Sequence, residues 1–239
     1  MKRVVLEPAH LLSVRPYRET SALLEVFTPG HGRVGLVARG SRAAKSKLRG
    51  LLQPFQPLLL SWNEGGELGT LTGAESAGPP ARLGGEAVFS GWYLNELVLR
   101  LLQRRDPHPA LYDGYVEALG ALGGDAATKA LRRFELHLLA ELGYAVHVPD
   151  DLAPDRWYGY DPEGGLRVAE PGPQAYRGTS LRALADESLE TEESLRDARR
   201  LLRAALAPHL GDRALRTPEL LRALREGTRG SGLGTRGKE

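Results

Sequence analysis

A change of hydrophobic period near residue 78 constrains this chain more than any other feature. Before it, apolar residues come in short runs separated by Pro/Gly turns. Arg3–Val14 mixes branched apolar and polar residues. Ala22–Phe27 and Arg33–Ala38 flank Thr28-Pro29-Gly30-His31-Gly32, and Pro57–Trp62 and Glu67–Thr72 flank Asn63-Glu64-Gly65-Gly66. Both pairs read as hairpins, and Pro54 and Pro57 bar a regular helix there. Some five short strands in so short a stretch suit a small barrel.

After Gly78-Pro79-Pro80 and Gly84-Gly85 the period becomes helical. Val88–Arg104, Pro109–Leu122 and Ala126–Leu142 each carry one apolar face, and Gly143 suits a C-cap. Thr191 can N-cap a long helix, with Glu192 and Glu193 favourable to its dipole. Thr217-Pro218-Glu219 opens a last short helix. The helices are interrupted by Ala145–Gly178, rich in proline and read as a loop with a short hairpin, Trp157–Tyr160 against Gly164–Val168. The expectation is an α+β chain: a barrel over 1–78, a helical domain over 79–228 with the insertion 145–178, and a disordered tail over 229–239.

Bulk properties bound the function. At 239 residues, 41% hydrophobic and 26% charged, the chain can bury a sizeable core. It has no cysteine, which excludes disulfides, thiol catalysis and cysteine-held zinc. No apolar run reaches the roughly 20 residues of a membrane span, and the N-terminus lacks signal-peptide features. A cytoplasmic protein is expected. The net charge is only +2, but residues 1–78 hold ten basic against six acidic residues. A nucleic-acid face is therefore expected on the N-terminal third.

Its sharpest expression is Ala38–Gly50, ARGSRAAKSKLRG, with Arg39, Arg42, Lys45, Lys47 and Arg49 and no acidic residue. Five cations on a loop have no packing role. They are tolerated if solvated and useful if an anion approaches, and the small residues between them leave room for a phosphate. Arg15 and Arg18 flank the nearby Tyr17. A barrel with basic loops and exposed rings is an architecture used for single strands. Of Tyr17, Phe27, Phe55 and Trp62, Tyr17 has the most polar context, while Phe27 and Phe55 read as core.

Catalytic signals are weak. There is no phosphate-loop or zinc-protease motif, no nucleophile elbow, and His10, His31, His108, His137, His147 and His209 show no ligand spacing. No enzyme, metal or cofactor is expected. In the helical half, Arg132-Arg133 precedes Phe134 on an amphipathic helix. Spacing alone leaves two readings: arginines snorkelling over their own core, or cations holding an acidic peptide whose apolar end enters a groove. A scaffold that binds only proteins is the competing class to a nucleic-acid binder, and salt-sensitive phosphate binding separates the two.

Several motifs in register resemble the RecO family. These are Arg15-Pro-Tyr-Arg-Glu-Thr-Ser, Leu24-Glu-Val-Phe-Thr, His31-Gly-Arg-Val, Leu36-Val-Ala-Arg-Gly-Ser-Arg and Leu48-Arg-Gly-Leu-Leu-Gln-Pro-Phe-Gln-Pro-Leu. The helical half adds Gly91-Trp-Tyr-Leu-Asn-Glu-Leu, Ala130-Leu-Arg-Arg-Phe-Glu-Leu and Glu141-Leu-Gly-Tyr. The resemblance runs to about Glu226. It implies an N-terminal OB-fold, a helical C-terminal domain and no catalytic turnover. It implies a recombination mediator of DNA repair, nucleoid-associated, that binds single- and double-stranded DNA and anneals complementary strands. The implied partners are the acidic, apolar C-terminal tail of single-stranded-DNA-binding protein (SSB) and RecR, and through RecR the loading of RecA. On this resemblance Arg15, Arg18, Arg39, Arg42, Lys45, Lys47 and Arg49 are the expected DNA contacts, and Arg132 and Arg133 the expected SSB-tail contacts. Many members carry a four-cysteine zinc module after the Leu-Gly-Tyr motif. This chain has the segment 145–178 in its place, so no zinc site is carried over.

Overall fold

The computed structural model describes residues 2–211, 215–217 and 219–220. The N-terminal part is a closed five-stranded barrel in the order β1-β2-β3-β5-β4. Its strands are β1 (Arg3–Tyr17), β2 (Ser21–Thr28), β3 (Gly32–Ala38), β4 (Pro57–Asn63) and β5 (Gly69–Ser76). All pairings are antiparallel except β3 with β5. The strand runs read from sequence are present with shifted ends. β1 continues through Pro16 to Tyr17, and β5 starts two residues late because Glu67 and Leu68 complete the turn.

β1 closes the barrel by pairing with β4 through its first half and β2 through its second, with an irregularity in register between Leu11 and Ser13. Consecutive residues of a strand point to opposite faces of the sheet. Leu11 enters the barrel core with Leu24, Val26, Leu36, Leu58, Leu60 and Trp62. Leu12 joins the other core, together with Phe27 and Phe55. Burial of both faces here leaves no alternation to read.

The second core is helical: α2 (Glu86–Leu101), α3 (Pro109–Ala121), α4 (Ala127–Glu141), α5 (Gly178–Ala185) and α6 (Glu192–Leu206). α3 packs on α4, α4 on α6, and α5 on α6. Gly143, at φ +81°, ends α4. The Gly143 N–H donates to Ala140 at 3.0 Å and the Tyr144 N–H to Leu139 at 2.8 Å, which satisfies carbonyls the helix leaves open. Thr191 caps α6 by accepting from the Ser194 N–H at 3.1 Å, and Ser194 reciprocates at the Thr191 N–H.

Three expectations are corrected. The stretch 38–50 is not all loop, since Leu48–Leu51 forms a helical turn, α1. The insertion holds a three-stranded sheet, order β7-β6-β8, not only the hairpin β6 (Trp157–Asp161) and β7 (Gly165–Ala169). Its third strand is β8 (Tyr176–Arg177), with Tyr158 paired to Tyr176 across β6 and both buried. Helix α5 follows directly where none was expected. The last helix is described only at Arg216, Thr217, Glu219 and Leu220, and the expected disordered tail lies outside the described residues.

The two halves share a built interface. α2 runs along the barrel wall, with Trp92 edge-on to Phe55 near one end. Asn95 contacts β1 midway, and Arg104 and Arg105 reach the other end. Arg104 pairs with Glu25, and Arg33 lies 3.5 Å from the same carboxylate. The Arg105 N–H donates to Arg33 at 2.9 Å, and its side chain to the Gly65 and Gly66 carbonyls of the β4–β5 turn. Gly32, at φ +62°, permits this approach, since a Cβ there would lie 1.9 Å from the Asp106 carbonyl oxygen.

Candidate nucleic-acid interface and a cation-rimmed groove

Antiparallel pairing sets where the basic residues lie. Ala22 on β2 pairs with both Pro16 on β1 and Ala38 on β3. The β1–β2 turn and the basic stretch after β3 therefore leave the same end of the barrel. This brings Arg15 and Arg18 to the side of Arg39, Arg42, Lys45, Lys47 and Arg49, and all seven are exposed. Among the described residues none of the seven pairs with a carboxylate.

The stretch is ordered by its own backbone. The Ser41 hydroxyl, itself buried, donates to the Ala38 carbonyl at 2.9 Å. Successive turns follow, Ala43 N–H to Gly40 at 3.2 Å and Ser46 N–H to Ala43 at 3.0 Å, and α1 closes the segment. The Arg42 N–H donates to Thr20 at 2.8 Å, and its guanidinium reaches the Arg18 and Glu19 carbonyls at 3.3 and 3.4 Å. Arg42 thus ties the loop to the β1–β2 turn. Arg18 lies over the half-buried Tyr17 ring, 5.3 Å from its centroid. Phe27, Phe55 and Trp62 are core and offer no stacking surface.

In the helical half the structure separates the two candidate arginines. Adjacent residues on a helix point about 100° apart, and only Arg133 faces out. Arg132 is buried and donates to Glu135 at 2.8 Å, and the Tyr93 hydroxyl donates to the same oxygen at 2.6 Å. Burial pushes the Glu135 carboxyl up, against the pull of Arg132 and of the Tyr93 hydrogen bond. As the structure stands, Arg132 neutralises an interior carboxylate and offers no surface contact.

Arg133 instead rims a groove of about 150 Å³ between α3 and α4. Its floor is made of small residues, Gly114, Ala118, Ala121, Ala126 and Ala130, around Phe134. Lys129, Arg133 and His137 stand four residues apart along the α4 rim, and Glu117 stands on the α3 wall. Lys129 and His137 escaped the sequence reading, although the four-residue spacing that aligns them with Arg133 was visible there.

Among the described residues no cluster of three or more His, Asp or Glu is placed to hold a metal ion, and no helix is long and apolar enough to cross a membrane.

Comparison with known proteins gives the same picture over both halves. Residues 1–80 match the family model described as Recombination protein O N terminal, and residues 82–219 match Recombination protein O C terminal. The chain is 49% identical over 233 residues to the DNA repair protein RecO of Nitrosococcus oceani, covering 93% of this chain and 95% of that protein. It is 43% identical over 228 residues to the DNA repair protein RecO of Methylococcus capsulatus, covering 92% and 94%. For that of Coxiella burnetii the figures are 42% over 228 residues, covering 92% and 99%. The chain belongs to the RecO family of DNA repair proteins.

Proposed function

We propose that the chain is a recombination mediator that works by binding rather than by catalytic turnover, with an OB-fold as its DNA-binding domain. The observation that carries this reading is the array of seven exposed cations at one end of the closed barrel, none of them paired with a carboxylate among the described residues. Phosphates supply the missing countercharge, and the released counterions supply much of the affinity. The same contacts serve single- and double-stranded DNA, because they read backbone rather than base edges.

The groove on α3 and α4 takes the acidic, apolar tail of SSB. Arg133 and its rim receive carboxylates, and the small-residue floor receives the apolar end. Docking there concentrates the protein on SSB-coated strands, an effective-concentration gain that needs no new DNA contact. Cations held against two strands at once screen phosphate repulsion and speed annealing. With RecR, the docked complex promotes RecA loading, in the cytoplasm on nucleoid DNA.

Annealing of labelled complementary strands, naked and SSB-coated, tests this division. The wild type should anneal both, and Arg133→Glu should fail on coated strands while annealing naked ones normally. Equal loss on both substrates refutes the division of labour, and no DNA binding at all leaves a protein-interaction scaffold.

A further inference from the structure

Each of the three basic side chains along the α4 rim already holds an acid of this chain. Arg133 Nε donates to Glu187 Oε2 at 2.6 Å, and His137 Nε2 lies 2.7 Å from Glu187 Oε1. Lys129 pairs with Glu190. Both glutamates come from the connection between α5 and α6, residues 186–191, which Leu189 anchors by its burial in the helical core.

The backbone at Glu187 adds an independent observation. Glu187 has φ +53°, in the left-handed region. It occupies the position after the C-cap of α5. Its N–H donates to Leu184 at 3.2 Å, and the Ser188 N–H donates to Ala183 at 2.8 Å. This is the same pair of bonds that ends α4, where the corresponding residue is Gly143. Glycine takes that conformation without a Cβ penalty, and glutamate does not. The fold thus holds a strained glutamate where glycine would be easier. Its carboxylate bridges Arg133 and His137, and its carboxyl sits below the usual range: burial works to raise it, but the hydrogen bonds from His137 and Arg133 outweigh that.

We infer that Glu187, assisted by Glu190, is a built-in competitor that occupies the cation rim of the α3–α4 groove until an acidic peptide ending in apolar residues displaces it. The inference rests on the reading of this groove as the tail site. A partner's carboxylates must replace contacts that already exist, so the apparent affinity is the intrinsic one reduced by the fraction of molecules with an open rim. The exchange favours partners that bring several carboxylates and an apolar end together. A single carboxylate gains nothing over Glu187, whereas the apolar end fills a floor that the two glutamates leave open. Exposed pairs of this kind contribute modestly, so the brake is soft.

The test uses the whole protein and a labelled peptide of consecutive aspartates ending in Leu-Phe with a free C-terminus. Glu187→Gly suits the local backbone, so it should melt no lower than wild type while binding the peptide about three- to ten-fold more tightly. Glu187→Gln should also bind more tightly, and adding Glu190→Gln should increase the effect. Glu193→Gln, on the exposed first turn of α6, removes the same charge away from the groove and should leave affinity unchanged. Wild-type binding that Arg133→Glu abolishes but Glu187→Gly leaves unchanged or weakens would overturn the competitor and spare the groove. An equal gain in Glu193→Gln would reduce the effect to net charge and also overturn it. If neither wild type nor Glu187→Gly binds the peptide, the groove reading falls, and the competitor with it.

Discussion

Asn95 on α2 donates its side-chain amide to the Leu12 carbonyl of β1 at 3.1 Å, and to the Leu11 carbonyl at 3.3 Å. These two residues sit at the register irregularity of β1. At such an irregularity the ladder is locally interrupted and its carbonyls need other partners, which Asn95 supplies. Its own Oδ1 accepts from the Tyr115 hydroxyl at 2.7 Å, so one buried side chain joins the barrel to α2 and α3.

Replacing Asn95 by Leu keeps the size but orphans these buried groups. Each unsatisfied group costs about 1–3 kcal/mol. Urea unfolding of Asn95→Leu should therefore show a loss of at least about 2 kcal/mol, and binding of DNA by the folded protein should be unchanged.

Arg132 and Arg133 should behave oppositely despite being neighbours. Arg132→Ala leaves Glu135 buried without its countercharge and should destabilise by about 3–5 kcal/mol. Arg133→Ala removes a half-exposed pair and should change stability by less than about 1 kcal/mol. Thermal melts of the two variants, set beside their affinity for an acidic peptide, separate interior from surface roles.

His10 gives the interface a pH dependence. The ring is buried against Tyr112 and Tyr115, with Nδ1 3.1 Å from the Tyr112 hydroxyl, and burial lowers its pKa to about 4. Unfolded, the same ring takes a proton near pH 6.5. Between those values the unfolded chain binds more protons, so stability falls as the pH drops through that window. Between pH 8 and pH 5 the wild type should lose about 2 kcal/mol more than His10→Gln. Equal losses in chemical denaturation at the two pH values would contradict this.

The change of period at residue 78, the hairpin turns and the basic stretch were legible because each is a local signal. Barrel closure was partly legible from strand count. The burial of Leu12 in the helical core was not, since Leu11 and Leu12 are both apolar and the helix that covers Leu12 comes from about eighty residues away. Arg132 and Arg133 show the same limit at one site. Helical geometry says that they diverge, but only the placement of Glu135 and Tyr93 says which one turns inward. Glu187 and Glu190 were invisible as groove residues because they reach Arg133, His137 and Lys129 from fifty or more residues away. The third strand of the inserted sheet, Tyr176–Arg177, was too short to carry a period.

On the proposed function, the barrel-end cations bind nucleic-acid phosphates. The most direct measurement is the slope of log K against log salt for a labelled single strand, for wild type beside the variant with Arg39, Arg42, Lys45 and Lys47 all changed to Ala. Seven phosphate contacts predict a wild-type slope of roughly −5 on a single strand, and the variant, which keeps Arg15, Arg18 and Arg49, should fall to about −2 with weakened binding. A wild-type affinity independent of salt, or a variant that keeps the wild-type slope, would show that these cations do not carry the binding.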